Sequence, residues 1–267
     1  MMSAASSQSS TQIHPSAVIS PQAQIGKGCC IGPYTVIGDE VVLGDRVTVD
    51  SHCVIDGRTQ IGEESHIYPF VSIGLPPQDL KFAGEQTETI IGSRTRIREF
   101  VTIHRGTKGG GGITKIGDEC FLMAQAHVAH DCLIGNNVIM ANAATLAGHV
   151  TVFDSANIGA YSGVHQFCRV GREAYVGGYS VVVKDALPFA LTVGNHAKCY
   201  GLNKVGVRRR GYSRETIDAL HHAFHLLLSA KLNTTQAIER IREEIKAVPE
   251  VDEVVRFVES SQRGVVK

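Results

Sequence analysis

Every sixth residue from Ile13 is a branched aliphatic. Positions 13, 19, 25, 31, 37, 43, 49, 55, 61, 67 and 73 hold isoleucine, leucine or valine without exception. The frame resumes at Ile91, Ile97 and Ile103, and again from Ile116 to Val182, where Met140 is the one departure. Apolar residues make up 43% of the chain, so chance does not fill such a series. Self-similarity at a short fixed period means a solenoid, in which each repeat buries its apolar face only against its neighbours.

The fifth residue of the hexad is usually small: Ala17, Ala23, Cys29, Thr35, Thr59, Ser65, Cys120, Ala126, Cys132, Ala144, Ala156, Ser162, Cys168. One large aliphatic and one small residue pointing inward from each short strand would fill a narrow three-sided prism. Isoleucine and valine suit strand geometry, and the intervening Gly, Asp and Asn suit turns. Three strands per coil give eighteen residues per turn, with neighbouring coils paired as parallel strands about 4.8 Å apart. Five of the seven cysteines (Cys29, Cys53, Cys120, Cys132, Cys168) occupy the small slot, so they read as buried hydrophobes rather than as a redox or metal set.

This hexad resembles that of the hexapeptide acyltransferases. The resemblance implies a mainly β fold, a left-handed parallel β-helix forming a triangular prism, and trimers with sites between subunits. Parallel β connections are otherwise right-handed, so periodicity alone does not supply the hand. The expected organisation is a disordered tail over 1–12 and a β-helix over 13–187, with loop-outs near 75–90 and 106–112. A connecting segment and C-terminal helical domain follow over 188–267. In that last part Ser213 can cap a helix whose apolar stripe is Ile217, Leu220, Phe224, Leu227 and Leu228. A second helix is expected over 234–247 and a third after Pro249.

Lys plus Arg and Asp plus Glu are 26 each, so no broad basic field argues for nucleic acid. The Ser-rich start has no signal-peptide core and no apolar run is long enough to span a membrane. A cytoplasmic protein is expected.

An eighteen-residue coil stacks residues eighteen apart. His130 then falls beneath Gly148 and Gln166, Asp131 beneath His149, and Ala129 beneath Ala147 and His165. With the glycine-rich segment TKGGGGI looped out, His104 joins the column of His165. His127 ends the preceding strand, close to the group. Scattered over some sixty residues, these side chains converge on one edge of the prism. Asp131 can fix the tautomer of His130 and stabilise its imidazolium. No serine, threonine or cysteine stands ready as a nucleophile, which favours general-base catalysis with direct transfer. Gly148 lets a substrate approach the backbone, and its N–H can serve an oxyanion.

The stretches IHRGT (103–107), AHVAHD (126–131), LAGHV (146–150), VHQF (164–167), GNHA (194–197), RRGYSRE (209–215) and QDLKFAGE (78–85) together resemble the acyl-carrier-protein-dependent UDP-N-acetylglucosamine O-acyltransferases of lipid A synthesis. That resemblance implies transfer of an (R)-3-hydroxyacyl chain from acyl carrier protein to the sugar 3-hydroxyl, with no cofactor or metal. It implies His130 as base, Asp131 as its orienting acid and Gly148 N–H as oxyanion donor. Asp79, Lys81, His104, His127, His149, His165 and Gln166 would hold the sugar nucleotide. Asn203, Arg209 and Arg210 match residues near the nucleotide, where arginine suits a diphosphate. The basic stretch could also dock the acidic carrier protein. Gly178 matches a position lining the acyl groove, where glycine implies a long chain. Val205 departs from the pattern, standing where an acidic residue is expected.

Three rival readings belong beside this one. The related N-acyltransferase carries a uridine-binding domain before its helix, for which a repeat starting at Ile13 leaves no room. A zinc lyase of carbonic anhydrase type would use His127 and His130 with a third ligand from a neighbouring subunit. A non-enzymatic solenoid scaffold would leave the histidine column without a purpose.

Overall fold

The computed structural model describes residues 10–228 and 231–267. The expected N-terminal tail lies outside the described residues as far as residue 9, and its last residue, Gln12, already belongs to the first strand with Ile13, pairing with Cys30. The chain falls into two compact units, Met1–Asn137 and Val138–Lys267, a division inside the repeat.

In the first unit, strands of two to four residues form three parallel sheets, one for each side of a coil. Ile13, Ile31 and Val49 pair in one sheet, Ile19, Ile37 and Ile55 in the next, and Ile25, Leu43 and Ile61 in the third. Each partner is eighteen residues on, the register that three hexads per turn requires. Two excursions interrupt it. Ile61 pairs with Ile91, thirty residues on, so twelve residues leave the coil. Ile103 pairs with Val128, twenty-five on, so a further seven leave it. Both excursions leave the flanking strands in phase, which keeps every aliphatic pointing inward.

The first and fifth hexad positions form the core. Ile37, Ile55, Ile67, Ile103 and Ile116 are at most 1% exposed, as are Cys53, Cys120 and Cys132. Burying each such isoleucine is worth about 1.5–3 kcal/mol. Where the small residue is polar, its hydroxyl is satisfied by a turn of the next coil: Thr35 Oγ1 donates to Asp50 O at 2.7 Å and Ser65 Oγ to Gly92 O at 3.0 Å. The fourth residue of most hexads is left-handed, as at Tyr34, Arg46, His52 and Glu64, all near φ 58°. That conformation costs about 1–2 kcal/mol for a residue with a Cβ. It is offset by a hydrogen bond between coils, such as Arg46 N to Lys27 O at 2.7 Å or Glu64 N to Asp45 O at 2.9 Å.

The second unit repeats the eighteen-residue register, with Ile158 paired to Met140 and to Val176, and Val164 to Leu146 and Val182. The chain then does something the lost hexad frame did not announce. Ala190–Val193 adds a parallel strand beside Tyr175–Val176 and turns back through Lys198–Leu202, its antiparallel partner. Among the described residues four helices follow: α1 (Lys204–Arg209), α2 (Arg214–Leu228), α3 (Thr234–Glu244) and α4 (Pro249–Glu259). α1 is a short helix capped by Asn203 and carries the basic stretch. Ser213 caps α2, accepting from Thr216 N at 3.2 Å. Leu220, Phe224 and Leu227 of α2, Ile238 and Ile241 of α3, and Val251, Val254 and Val255 of α4 close a core with Phe189 and Val207. No helix among the described residues is long and apolar enough to cross a membrane.

Candidate active site

In the first unit the second excursion folds back onto the turn at 129–131. Asp131 sits there in the left-handed region at φ 60°, its backbone N–H donating to Thr114 Oγ1 at 2.8 Å. Its side chain is fully buried, which would be costly for a carboxylate without partners. It has three. Thr107 N donates to Oδ1 at 2.8 Å, Thr107 Oγ1 to Oδ2 at 2.6 Å, and His130 Nδ1 lies 2.7 Å from Oδ2. Only an Nδ1–H can satisfy that last contact, so Nε2 is the basic nitrogen of His130.

The excursion is built for this contact. Lys108–Gly110 forms one 3-10 turn capped by Thr107. A Cβ on Gly110 would lie 2.0 Å from Asp131 Cγ, whereas one on Gly109 would meet nothing within 4 Å.

Two further imidazoles line the same region. The rings of His104 and His127 meet edge to face, centroids 5.2 Å apart, and Thr102 Oγ1 lies 2.7 Å from His127 Nδ1. Burial, and then repulsion from His127 and His130, pushes the His104 pKa down to about 4. His127 is lowered in the same way, by burial and then by His130. Both are therefore neutral at pH 7, offering one donor and one acceptor each to a polar, uncharged group.

Asp79 and Lys81 lie on the first excursion, where Asp79 Oδ1 accepts from Lys81 N at 3.0 Å. Among the described residues no hydrogen bond or ion pair joins either to the histidines. The excursion is tethered by Arg105, whose guanidinium lies over the Phe82 ring at 5.4 Å, and by Glu85, which accepts from Lys108 N at 3.5 Å.

In the second unit His149 occupies a left-handed turn at φ 62° and stacks on Phe167, centroids 4.4 Å apart and 7° from parallel. Gly148 is buried, and its carbonyl accepts from Phe167 N at 3.2 Å. His165 and Gln166 are exposed. His165 Nδ1 lies 3.4 Å from Arg263 Nη2, a C-terminal contact absent from the sequence reading. A Cβ on Gly178 would approach the backbone oxygen of Ala160 at 3.3 Å, closer than ordinary van der Waals contact.

Asn203, Arg209 and Arg210 come together around a cavity of about 880 Å³ that Tyr175, Tyr200 and Glu173 also line. Asn203 Nδ2 donates to Glu173 O at 3.3 Å, and Arg210 Nε is 3.5 Å from Glu173 Oε2. Val205, 60% exposed, lines the same cavity.

Thr102, Thr107, Gly110, Thr114 and Glu173 were not singled out from the sequence. The first two flank IHRG in the stretch TIHRGT, and Glu173 fills a left-handed turn that Gly, Asn or Asp would ordinarily take.

Three family models match the chain: Udp N-acetylglucosamine O-acyltransferase, domain 2, over residues 185–266; the bacterial transferase hexapeptide (six repeats) over 113–148; and the GMPPB C-terminal domain over 13–108. Solved structures are similar over nearly the whole length. The UDP-N-acetylglucosamine acyltransferase of Bacteroides fragilis is 39% identical, with 96% of this chain and 100% of that one covered and a TM-score of 0.94. The Francisella novicida enzyme is 34% identical over 96% and 94%, with a TM-score of 0.93. The Arabidopsis enzyme is 32% identical over 96% and 100%, with a TM-score of 0.84. The fold is therefore a left-handed parallel β-helix with a C-terminal helical domain, the hand included.

Proposed function

Because the chain belongs to the UDP-N-acetylglucosamine acyltransferase family, we propose that it moves an (R)-3-hydroxyacyl chain from acyl carrier protein to the 3-hydroxyl of UDP-N-acetylglucosamine, at the start of lipid A biosynthesis. The chain is an acyltransferase, which sets aside the scaffold and zinc-lyase readings. The observation that carries the mechanism is the buried Asp131 carboxylate, which accepts from Thr107 twice and holds His130 Nδ1 at 2.7 Å.

In the proposed step, His130 Nε2 removes the proton of the sugar hydroxyl as its oxygen attacks the thioester carbonyl. Asp131 keeps the required tautomer and stabilises the imidazolium that forms. Gly148 N–H donates to the oxyanion of the tetrahedral intermediate. As the intermediate collapses, the C–S bond breaks and the carrier's thiolate takes the proton back from His130. No residue is acylated and no cofactor is needed.

The neutral His104 and His127 suit the hydroxyl and amide groups of the sugar. Asp79, Lys81, His149, His165 and Gln166 complete the contacts to the sugar nucleotide. Asn203, Arg209 and Arg210 receive its nucleotide end, and Gly178 leaves space for a long acyl chain. The working enzyme is a cytoplasmic homotrimer.

Turnover with a panel of acyl carrier thioesters against UDP-N-acetylglucosamine and its 3-amino analogue, read by product mass, tests the reading. A product gaining one hydroxyacyl group at the 3-hydroxyl is the expected result. Acylation of the amino analogue alone would move the acceptor from oxygen to nitrogen, and no acyl product with either would overturn the proposal.

A further inference from the structure

Glu173 is a carboxylate in an expensive place. It lies in a left-handed turn at φ 56° and is 7% exposed. Its Oε1 is well supplied, accepting from Tyr212 Oη at 2.7 Å and Arg172 Nη1 at 3.1 Å. Its Oε2 has no hydrogen-bond partner among the described residues. Arg210 Nε lies 3.5 Å from it, at ion-pair distance.

The donors to Oε1 are themselves fixed from behind. Arg172 is gripped by Glu253, with contacts of 2.7 and 3.0 Å to Oε2, and its guanidinium lies over the Phe189 ring at 4.7 Å. The carboxylate is thus held in one orientation by Tyr212, which packs against the hydrophobic core of the second unit, and by Arg172, which lies over Phe189 of that core. A buried carboxylate oxygen left without a donor is a strong acceptor awaiting one.

Glu173 lines the 880 Å³ cavity with Asn203, Arg209 and Arg210, and it is the one acidic residue among the described residues there. The other charges on that wall, Lys204, Arg209 and Arg210, are positive. A phosphate is drawn to the arginines and repelled by Glu173. A neutral O–H or N–H donor is drawn to Glu173. A nucleoside diphosphate carries both kinds of group, separated along its length. The side chain of Val205, exposed in the same cavity, has no acceptor to offer.

Resting on the functional reading above, we propose that Glu173 is a specificity-determining residue for the nucleotide. Its Oε2 accepts a hydrogen bond from a ribose hydroxyl or from the imide N–H of the base, while Arg209 and Arg210 take the diphosphate. Removing the acceptor then weakens the nucleoside half and leaves the phosphate half alone.

Glu173→Gln keeps the shape of the side chain and an acceptor toward Tyr212. Titration calorimetry with UDP-N-acetylglucosamine should show Kd raised about tenfold. In turnover, KM for the nucleotide should rise with it, while kcat and KM for the acyl carrier stay within about twofold. Inorganic pyrophosphate, used as a probe for the arginines, should bind the variant no more weakly than the parent. UDP-N-acetylglucosamine analogues lacking the ribose 2′-hydroxyl, or methylated at the base N3, identify the donor. The analogue that lacks it should bind the parent about tenfold more weakly and E173Q no more weakly than the natural nucleotide does.

Equal nucleotide affinity of parent and E173Q would overturn the assignment while leaving the functional reading intact. Failure of the parent itself to bind UDP-N-acetylglucosamine would overturn the functional reading instead. Should E173Q fail to fold, the analogues on the parent decide, and equal affinity for all three nucleotides refutes the role.

Discussion

Substituting Gly110 with alanine places a methyl carbon 2.0 Å from Asp131 Cγ, 2.2 Å from Oδ2 and 2.5 Å from Oδ1. An ordinary contact begins at 3.4 Å, so either the carboxylate or the loop must move by about 1.4 Å. The loop is pinned, since Gly110 N donates to Thr107 O at 3.0 Å and Gly112 N to the same oxygen at 2.9 Å. If the carboxylate moves instead, its bonds to Thr107 and His130 stretch beyond hydrogen-bonding range. Hydrogen bonds to a charged group are worth about 1.5–3 kcal/mol each, so losing two costs about 3–6 kcal/mol at this turn. A base displaced by about 1 Å loses on the order of 100-fold in rate. Gly110→Ala should therefore cut kcat by about 100-fold in a steady-state acyl-transfer assay. Gly109→Ala is the control: its Cβ meets nothing within 4 Å, and it should keep kcat within about twofold. Equal activities of the two variants would refute the idea that the glycine loop sets the carboxylate in place.

His130→Ala should fold as the parent does, by thermal melt, yet lose acyl transfer by at least about 100-fold, the scale of a lost general base. Gly178→Met should shift the donor preference toward shorter acyl chains, measured by competition between carrier thioesters of different length; an unchanged profile removes Gly178 from the groove. Acid should destabilise the fold through His104, whose folded pKa is depressed from 6.5 to about 4. The unfolded chain takes up that proton first, so the stabilisation is complete above pH 6.5 and lost as pH falls towards 4. By linkage this is about 2 kcal/mol at pH 5. Urea midpoints at pH 7 and pH 5 should differ less in His104→Gln than in the parent, and an identical pH response of the two would rule the histidine out.

The core was legible because the hexad is local and self-reporting. Ile37, Ile55, Ile103 and Ile116 needed only their place in a count of six to be assigned inward, as did Cys53 and Cys132. The pairing of Ile103 with Val128 followed once seven residues were looped out. The helix starting after Ser213 and the one after Pro249 were likewise readable from caps and apolar spacing. The strands Ala190–Val193 and Lys198–Leu202 were not, since they follow no hexad and owe their pairing to each other and to Tyr175–Val176. α1 was missed for a similar reason: its cap, Asn203, lies in a stretch read as irregular and basic.

At the site the same contrast holds. Sequence alone determined that His130 and Asp131 are neighbours on a turn of the helix, and that Cys132 beside them points inward, because alternation and turn spacing act within a few residues. Only the tertiary structure decided that Thr107, twenty-four residues earlier, donates twice to Asp131, that Gly110 leaves room for it, and that Arg172 reaches Glu253 to hold Glu173. Those contacts form where loops close and charges lose water. No period records them, because what selects them is the need to satisfy a buried carboxylate, wherever along the chain its donors happen to lie.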